Sequence, residues 1–256
     1  MAAESGPGPE ANVAQLRRQY EALMHRLEDN QVEFRRLARA TWRLQEDERR
    51  RIARELHDGI GQNLTALKHQ LAALQAQVGD ADANARDRLE ASIALCGQTL
   101  EDTRELSRLL RPQILDDLGL EAALKWLVRS LADAAGLEIE LDVGELPALD
   151  GEQRTLLFRV AQEALSNIVR HAGASTAVVA LAARAPGVWL TIWDDGGRLP
   201  PEDDARRRAG SGLASMRERV AAFGGRLQLE SAAETGTWLR VALPVGPTIV
   251  TADATR

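Results

Sequence analysis

The sequence from Glu48 to Leu71, ERRRIARELHDGIGQNLTALKHQL, decides how this chain is organised. Its apolar residues recur every three or four positions, the period of one helix face; they are Ile52, Leu56, Leu64, Leu67 and Leu71. His57 follows Leu56 and lies at the edge of this stripe, where packing can hold its side chain and solvent can reach it. A single histidine at such a boundary is most often only solvated, so a function for His57 needs support from the rest of the chain.

Two polar residues and two glycines surround His57. Asp58 is its neighbour, and Gln62 lies about one and a half helical turns further on, within reach of a group attached to His57. Gly59 and Gly61 each cost roughly 1 kcal/mol against alanine in a helix. They leave the helix surface bare, so another domain can approach His57 closely.

The composition is that of a globular and mostly helical protein. The chain has 256 residues, and its 45% hydrophobic and 27% charged residues exclude a disordered protein. Its net charge of -6 argues against a general nucleic-acid binder, so no nucleic-acid partner is expected. Cys96 is the single cysteine, which excludes an intramolecular disulfide and favours a reducing compartment. With no recognisable signal peptide or membrane span, we expect a soluble cytoplasmic protein.

The residues before this stretch predict a coiled coil. Residues 1–10 are expected to form a disordered leader and residues 11–47 a signalling helix. The seam of that helix is spaced by four and three residues in turn, as in heptad repeats: Leu16, Tyr20, Leu23, Leu27, Asn30, Phe34, Leu37, Thr41 and Leu44. A helix packed on its own domain is the alternative, but a narrow stripe with charged flanks favours a parallel dimer.

Residues 48–115 predict a hairpin of two helices, which run from Ile52 to Val78 and from Asn84 to about Leu110. Two such helices cannot bury their apolar stripes alone. Two copies of the hairpin would form a four-helix bundle.

Beyond Pro112 the pattern changes to helices mixed with short strands. Helices are predicted over 119–135, 150–171 and 213–223, and strands over 137–143, 176–184, 188–193, 226–231 and 237–243. Asp150, with Gln153 three residues later, is a capping-box arrangement. The expected fold class is thus α plus α+β: a helical hairpin, then an α/β sandwich over residues 116–246 with helices on one face of one sheet, and a tail over 247–256.

One predicted helix carries polar residues that could bind a nucleotide. Glu163, Asn167, Arg170 and His171 are spaced to share a helix face. Glu163 and Asn167 offer oxygen ligands of the kind that Mg²⁺ accepts while it also binds phosphate. Arg170 and His171 could pair with phosphate.

Two later segments fit the same ligand. Asp194 ends a predicted strand and can accept a hydrogen bond from an exocyclic amine such as that of adenine, while Gly196 lets the backbone come close. Residues 210–213, Gly-Ser-Gly-Leu, open a helix whose N–H groups suit a phosphate. Each signal is weak alone, because a G-x-G before a helix is usually only a turn. Their order and spacing are far more specific.

With these motifs the chain resembles two-component sensor histidine kinases of the nitrate/nitrite-sensor type, from about Glu46 to Pro244. The resemblance implies a dimeric hairpin followed by an ATP-binding domain of the Bergerat type. The matching motifs are E-R-x-R-I-A-R-E-L-H-D-x-x-x-Q at 48–62, L-R-P-x-x-L-D-D-L-G-L at 110–120, Q-E-A-L-x-N-x-x-R-H-A at 162–172, D-D-G at 194–196, G-x-G-L-x-x-M-x-E-R at 210–219, G-G-x-L-x-x-x-S at 224–231 and G-T at 236–237.

The resemblance also implies roles for single residues. His57 is the phosphoacceptor, Asp58 orients or deprotonates its imidazole, and Gln62 positions water when the phosphorylated partner is dephosphorylated. Magnesium is assigned to Glu163 and Asn167. The nucleotide site comprises Asn167, Arg170, His171, Asp194, Gly196, Gly210, Gly212, Leu213 and Thr237.

The partners that the resemblance implies are ATP, Mg²⁺, a second copy of the chain and a response regulator whose receiver domain is a separate protein. An upstream sensor protein contacting the N-terminal helix is a further hypothesis. The expected reaction is phosphorylation of His57 from Mg-ATP and transfer to an aspartate of the regulator. The kinase is also expected to act as the phosphatase of the phosphorylated regulator.

Arg198 departs from the family pattern, which has D-x-G-x-G where this chain has glycine at 197 and arginine at 198. If that backbone requires a left-handed conformation, Arg198 costs roughly 1–2 kcal/mol. A degenerate kinase acting mainly as a phosphatase or dimeric scaffold is therefore an alternative. A serine kinase of the same ATPase superfamily would leave residues 48–62 unexplained, and a non-enzymatic coiled-coil adaptor would leave the nucleotide motifs unexplained.

Overall fold

The computed structural model describes residues 9–78, 83–110, 113–196, 212–232 and 235–245. The helices are α1 (Pro9–Arg54), α2 (Gln62–Val78), α3 (Ala83–Leu110), α4 (Gln113–Asp117), α5 (Gly119–Ala135), α6 (Gly151–Asn167) and α7 (Gly212–Ala222). The strands are β1 (Glu138–Val143), β2 (Thr176–Arg184), β3 (Gly187–Asp194), β4 (Arg226–Ala232) and β5 (Gly236–Pro244). Two π-helical segments, Glu55–Gly61 and Ile168–Ala172, extend α1 and α6.

The first half is a long helix followed by a hairpin. α1 continues through the first π-helical segment into α2, and α3 then runs back beside α2. The thiol of Cys96 donates a hydrogen bond to the carbonyl of Leu64 at 3.2 Å, and the Ser107 hydroxyl donates to the carbonyl of Ala53 at 2.9 Å. These bonds join α3 to α2 and to the end of α1, so the predicted hairpin is present.

The structure corrects parts of the sequence interpretation for this half, and other parts lie outside the described ranges. α1 begins at Pro9, so the last two residues assigned to a disordered leader are helical. The predicted single helix after Ile52 contains a π-helical segment. The short helix α4 follows Pro112 and had no sequence signal, because five residues are too few to show a helical period. Residues 1–8 and 79–82, which include the predicted turn, are outside the described ranges.

The second half contains one five-stranded sheet in the order β1-β2-β3-β5-β4. β1 and β2 are parallel, and the remaining neighbours are antiparallel. Burial alternates strictly along β3, where every second side chain faces the core. α5, α6 and α7 contribute the other side of that core, so the helices cover one face of the sheet as predicted.

Except at the π-helical ends, the predicted bounds of strands and helices in this half lie within one or two residues of the observed bounds. The packing of the core explains this agreement. Val188, Leu190 and Ile192 of β3 are almost fully buried, against Leu124 of α5 and Leu157 of α6. An alternation of this kind is visible in sequence because one sheet face is apolar throughout. In the part of the chain that is described, no helix is both long and apolar enough to cross a membrane.

Candidate functional site

His57 lies in the first π-helical segment, between α1 and α2. In a π-helix the hydrogen-bonded residues are five apart, and such single turns are frequent at functional sites. The interval from His57 to Gln62 is five residues, so the two side chains follow one another on nearly the same side. Both are exposed and both line one groove of the hairpin.

The groove beside His57 is formed by the hairpin itself. Its walls come from the π-helical segment, α2 and α3, including Leu56, Thr65, Leu100 and Thr103. Among the described residues, none from the sheet domain lines it. The phosphoacceptor candidate is therefore open to solvent and available to another molecule or domain.

Asp58 and Gly59 occupy the exposed side next to the groove. Asp58 is solvent-exposed and does not contribute to the groove lining. A Cβ atom at Gly59 would meet nothing within 4 Å. The surface beside His57 is thus bare at this position, as expected from its sequence.

α6 is fixed at its N-terminus by the predicted capping box. The Asp150 carboxylate accepts a hydrogen bond from the backbone N–H of Gln153 at 2.7 Å, and the Gln153 side chain accepts one from the backbone N–H of Asp150 at 3.0 Å. Leu156, Leu157 and Phe158 bury the following turn completely. This anchored helix holds the polar residues near its other end.

Glu163 and Asn167 of α6 converge on the start of α7. Both side chains are half-buried. A Cβ atom at Gly212 would lie 2.6 Å from Glu163 Oε1 and 3.9 Å from Asn167 Nδ2. Only glycine fits here without displacing Glu163. Two oxygen-bearing side chains therefore face the N-terminal end of a helix, an arrangement suited to a metal ion and phosphate.

A second π-helical segment follows α6. Arg170 and His171 lie within it, at exposed positions, and Gly173 ends it with φ 61°. The segment departs from the 3.6-residue period, so the shared face of these two residues with Glu163 and Asn167 stays a prediction. No hydrogen bond or ion pair joins them to those residues within the described atoms.

Asp194 and Asp195, adjacent at the end of β3, have different environments. Asp194 is buried, at 3% exposure, and accepts a hydrogen bond from the backbone N–H of Gly196 at 3.0 Å. Asp195 accepts from the Ser175 hydroxyl at 2.5 Å and from the N–H groups of Ser175 and Thr176 at 2.8 and 3.1 Å. These hydrogen bonds lower the pKa of Asp195, and the bond from the Ser175 hydroxyl has the largest effect. Asp195 thus fastens β3 to the start of β2.

Close backbone contacts surround the end of β3, where Asp194 lies. A Cβ atom at Gly196 would collide with the carbonyl oxygen of Ala172, and one at Gly236 with the carbonyl oxygen of Asp194. Thr237 pairs with Asp194 across β3 and β5. Leu213 packs partly buried against the core. Residues Gly210 and Arg198 lie outside the described ranges.

The main residues that sequence reasoning missed lie where α1 meets the sheet domain. Trp42 is buried at 4% exposure within the core of that domain, and Glu46 and Arg159 form a buried ion pair. A signal was present: Trp42 and Glu46 are off the heptad seam and spaced by four residues, the spacing of a second helix face.

Comparison with known proteins identifies both halves of the chain. Residues 48–115 match a family described as histidine kinase, and residues 152–247 match the histidine kinase-, DNA gyrase B- and HSP90-like ATPases. The chain belongs to the histidine kinase family. The resemblance inferred from its motifs is thereby confirmed, and so is the assignment of an ATP-binding domain to its second half.

Three curated relatives of this histidine kinase chain support the same conclusion. The sensor histidine kinase MctS of Rhizobium johnstonii is 39% identical over 202 residues, which cover 78% of this chain and 44% of MctS. The histidine-protein kinase/phosphatase UhpB of Salmonella typhimurium is 36% identical over 245 residues, covering 91% of this chain and 45% of UhpB. The sensor histidine kinase LiaS of Bacillus subtilis is 32% identical over 215 residues, covering 82% of this chain and 59% of LiaS. The chain spans about half the length of the curated relatives it matches.

Proposed function

We propose that this chain phosphorylates itself on His57 from Mg-ATP and passes the phosphoryl group to an aspartate of a separate response regulator. The observation that carries the proposal is an exposed histidine, followed five residues on by Gln62 in the same groove, on a hairpin joined to an ATPase-type domain. Residues 48–115 would be the phosphotransfer hairpin and residues 116–246 the catalytic domain.

The transfer step assigns a role to each residue beside His57. A neutral ring nitrogen of His57 attacks the γ-phosphorus; the new N–P bond forms as the bond to the bridging oxygen breaks, and ADP leaves. Asp58 holds the other ring nitrogen as N–H and can accept its proton when charge develops on the ring. The phosphohistidine then donates its phosphoryl group to the regulator's aspartate.

The nucleotide would be held by residues that the fold brings near α6 and the end of β3. Glu163 and Asn167 fit a magnesium ion that keeps waters and phosphate oxygens as its other ligands. When bound, Mg²⁺ would neutralise charge on the transferring phosphate. Asp194 would accept the adenine amine, with Gly196, Gly212, Leu213 and Thr237 shaping the pocket.

The apolar seam of α1 supports a homodimer. Six large apolar residues of the predicted seam are exposed in the single chain: Tyr20, Leu23, Leu27, Phe34, Leu37 and Leu44. Exposed residues on the hairpin, among them Ile60, Leu67 and Leu106, extend the unpartnered surface. A second copy would cover both, as a coiled coil leading into a four-helix bundle. Because the reaction uses ATP, we place these domains in the cytoplasm.

The test is labelling with γ-³²P-ATP and Mg²⁺, comparing wild type with His57→Gln. Wild type should acquire an acid-labile, base-stable label, and His57→Gln should acquire none while still binding a fluorescent ATP analogue. His25→Gln is the matched control, because His25 is exposed on α1 and does not line the groove, and it should label like wild type. Label persisting on His57→Gln would move the acceptor to another residue.

Arg198 supports the second candidate, a degenerate kinase acting mainly as a phosphatase or dimeric scaffold. In that case folded, dimeric wild-type protein would remain unlabelled. It would still accelerate loss of the phosphoryl group from a phosphorylated regulator if it is a phosphatase, and would not if it is a scaffold. ATP affinity separates this candidate from an active kinase.

A further inference from the structure

The groove beside His57 has a volume of about 480 Å³ and a simple set of charged groups. Among the residues that line it in the described part of the chain, His57, His69 and Arg104 have basic side chains and none is acidic. Histidine is mostly neutral near pH 7, whereas arginine keeps its charge. Arg104 is therefore the one permanent charge among these described lining residues, and it is positive.

Arg104 of α3 lies level with the phosphoacceptor candidate across the hairpin. On one side of this level, the Ser107 hydroxyl donates to the carbonyl of Ala53 at 2.9 Å. On the other side, a Cβ atom at Gly61 would lie 4.0 Å from Cδ1 of Leu100. The histidine is midway between positions 53 and 61, and Arg104 lies between positions 100 and 107 of the antiparallel helix. Helices packed about 8–10 Å apart leave a gap that an extended arginine side chain can span.

The two threonines of the groove have already used their hydroxyl protons. The Thr65 hydroxyl donates to the carbonyl of Gly61 at 2.8 Å, and the Thr103 hydroxyl donates to the carbonyl of Thr99 at 2.7 Å. Both bonds lie within a single helix and leave no hydroxyl proton for a ligand in the groove. A guanidinium group has five N–H donors, so Arg104 is the strongest donor that faces this space.

The ion pair that holds Arg104 in the structure is weak. Its Nη1 donates to Oε1 of Glu101, one turn earlier on α3, at 2.5 Å. The two side chains are 42% and 64% exposed. Exposed pairs of this kind contribute about 0–1 kcal/mol. A phosphoryl group offers oxygens that the arginine fork binds in pairs, so the guanidinium can exchange Glu101 for a phosphoryl group at little cost.

We propose that Arg104 is a further catalytic residue, which binds the phosphoryl group during its transfer to His57 and in the phosphohistidine that results. As the N–P bond forms and the bond to the bridging oxygen of ATP breaks, negative charge is spread over the three equatorial oxygens of the transferring group. Arg104 would donate to these oxygens from the α3 side of the groove, where a fixed positive charge stabilises the transition state. This inference rests on the proposed kinase activity.

The test measures kcat for self-phosphorylation and the Kd for ATP of Arg104→Gln in the full chain. Arg104 belongs to the hairpin and not to the ATP-binding domain, so its loss should slow the transfer and spare nucleotide binding. We expect kcat to fall about tenfold or more, with the Kd for a fluorescent ATP analogue within about twofold of wild type. Arg104→Lys keeps the charge but loses the fork, so its kcat should lie between the two.

Two control variants separate the phosphoryl contact from effects on the hairpin. Arg108 lies one turn further along α3, is exposed and does not line the groove, so Arg108→Gln should keep kcat within about twofold of wild type. Glu101→Gln removes the ion pair but leaves the guanidinium available, so its kcat should equal or exceed that of wild type. Glu101→Gln combined with Arg104→Gln should be as slow as Arg104→Gln alone.

Failure of this role can be distinguished from failure of the kinase. A wild-type protein without label would contradict the proposed activity, and the role of Arg104 with it. Label on wild type, with an unchanged kcat in Arg104→Gln, would overturn the role of Arg104 and leave the kinase intact. An equal loss of kcat in Arg104→Gln and Glu101→Gln would also overturn it, because the ion pair would then support the hairpin and not the reaction.

Discussion

His57 and Gln62 face one groove because the helix between them is π-helical, and this gives the two residues separable roles. Replacing Gln62 by alanine removes the amide proposed to position water but leaves the histidine in place. Gln62→Ala should therefore keep self-phosphorylation within about twofold and slow dephosphorylation of the regulator by tenfold or more, on the order of one catalytic hydrogen bond. Release of phosphate from a purified phospho-regulator measures this. Equal decay with both proteins would remove Gln62 from the mechanism.

Gly212 tests the geometry of the nucleotide site. A Cβ atom there would lie 2.6 Å from Glu163 Oε1, so Gly212→Ala must displace the proposed magnesium ligand. We expect affinity for Mg-ATP to fall about tenfold, with the melting temperature little changed because the clash is with the end of a flexible side chain. Gly151→Ala, at the start of α6, is the control, since its Cβ would meet nothing within 4 Å. Isothermal titration calorimetry compares the affinities of the two variants for Mg-ATP. Equal affinities would show that Glu163 does not bind the metal ion.

Asp195 predicts a pH-dependent contribution to stability. Hydrogen bonds from Ser175 and Thr176 lower its pKa in the folded protein. A carboxylate with a lowered pKa stabilises the fold fully above its unfolded value of about 3.9, and that stabilisation is lost as the pH falls through the lower folded value. Asp195→Asn should therefore melt below wild type at pH 7, with the difference narrowing below pH of about 4. A difference in melting temperature that does not change with pH would show that the charge of Asp195 does not contribute to stability.

At the scale of single elements, α6 depends on its capping box. Asp150→Ala removes the acceptor for the Gln153 N–H and should destabilise the catalytic domain by about 1 kcal/mol. Asp133→Ala, which removes an exposed acid from α5, is the control and should cost less than about 0.5 kcal/mol. Urea unfolding followed by circular dichroism distinguishes the two. Equal stabilities would show that core packing alone fixes the start of α6.

The elements also show where local sequence rules stop applying. The capping box, β2 and α5 were predicted with their observed bounds, because caps, strand alternation and a helical stripe are local signals. The two π-helical segments were not predicted. A five-residue pairing has no distinct sequence period, and its only hint at His57 is the pair of glycines.

At the scale of the whole molecule, the seam of α1 predicts dimerisation. Leu27 and Phe34 are 48% and 64% exposed in the single chain, an unfavourable state for large apolar side chains. Leu27→Lys combined with Phe34→Lys should weaken the dimer by tenfold or more in dissociation constant, on the order of the apolar area that a coiled coil buries. Gln19→Lys with Gln31→Lys adds the same charge outside the seam. Sedimentation equilibrium measures the dissociation constant of each double variant. An equal loss of dimer in both would show that the seam does not hold the dimer together.

The amino-acid sequence by itself determined the order of the strands and of the helices apart from α4, the hairpin, the ATP-binding domain and the motifs around His57 and Asn167. These follow from periodicity, caps and motif spacing, which act between residues close in the chain. Only the tertiary structure decided that His57 and Gln62 share a groove, that Gly212 approaches Glu163, and that Arg159 pairs with Glu46 across 113 positions. Such pairs depend on how rigid elements pack, and packing is set by the fit of side chains that are distant in sequence.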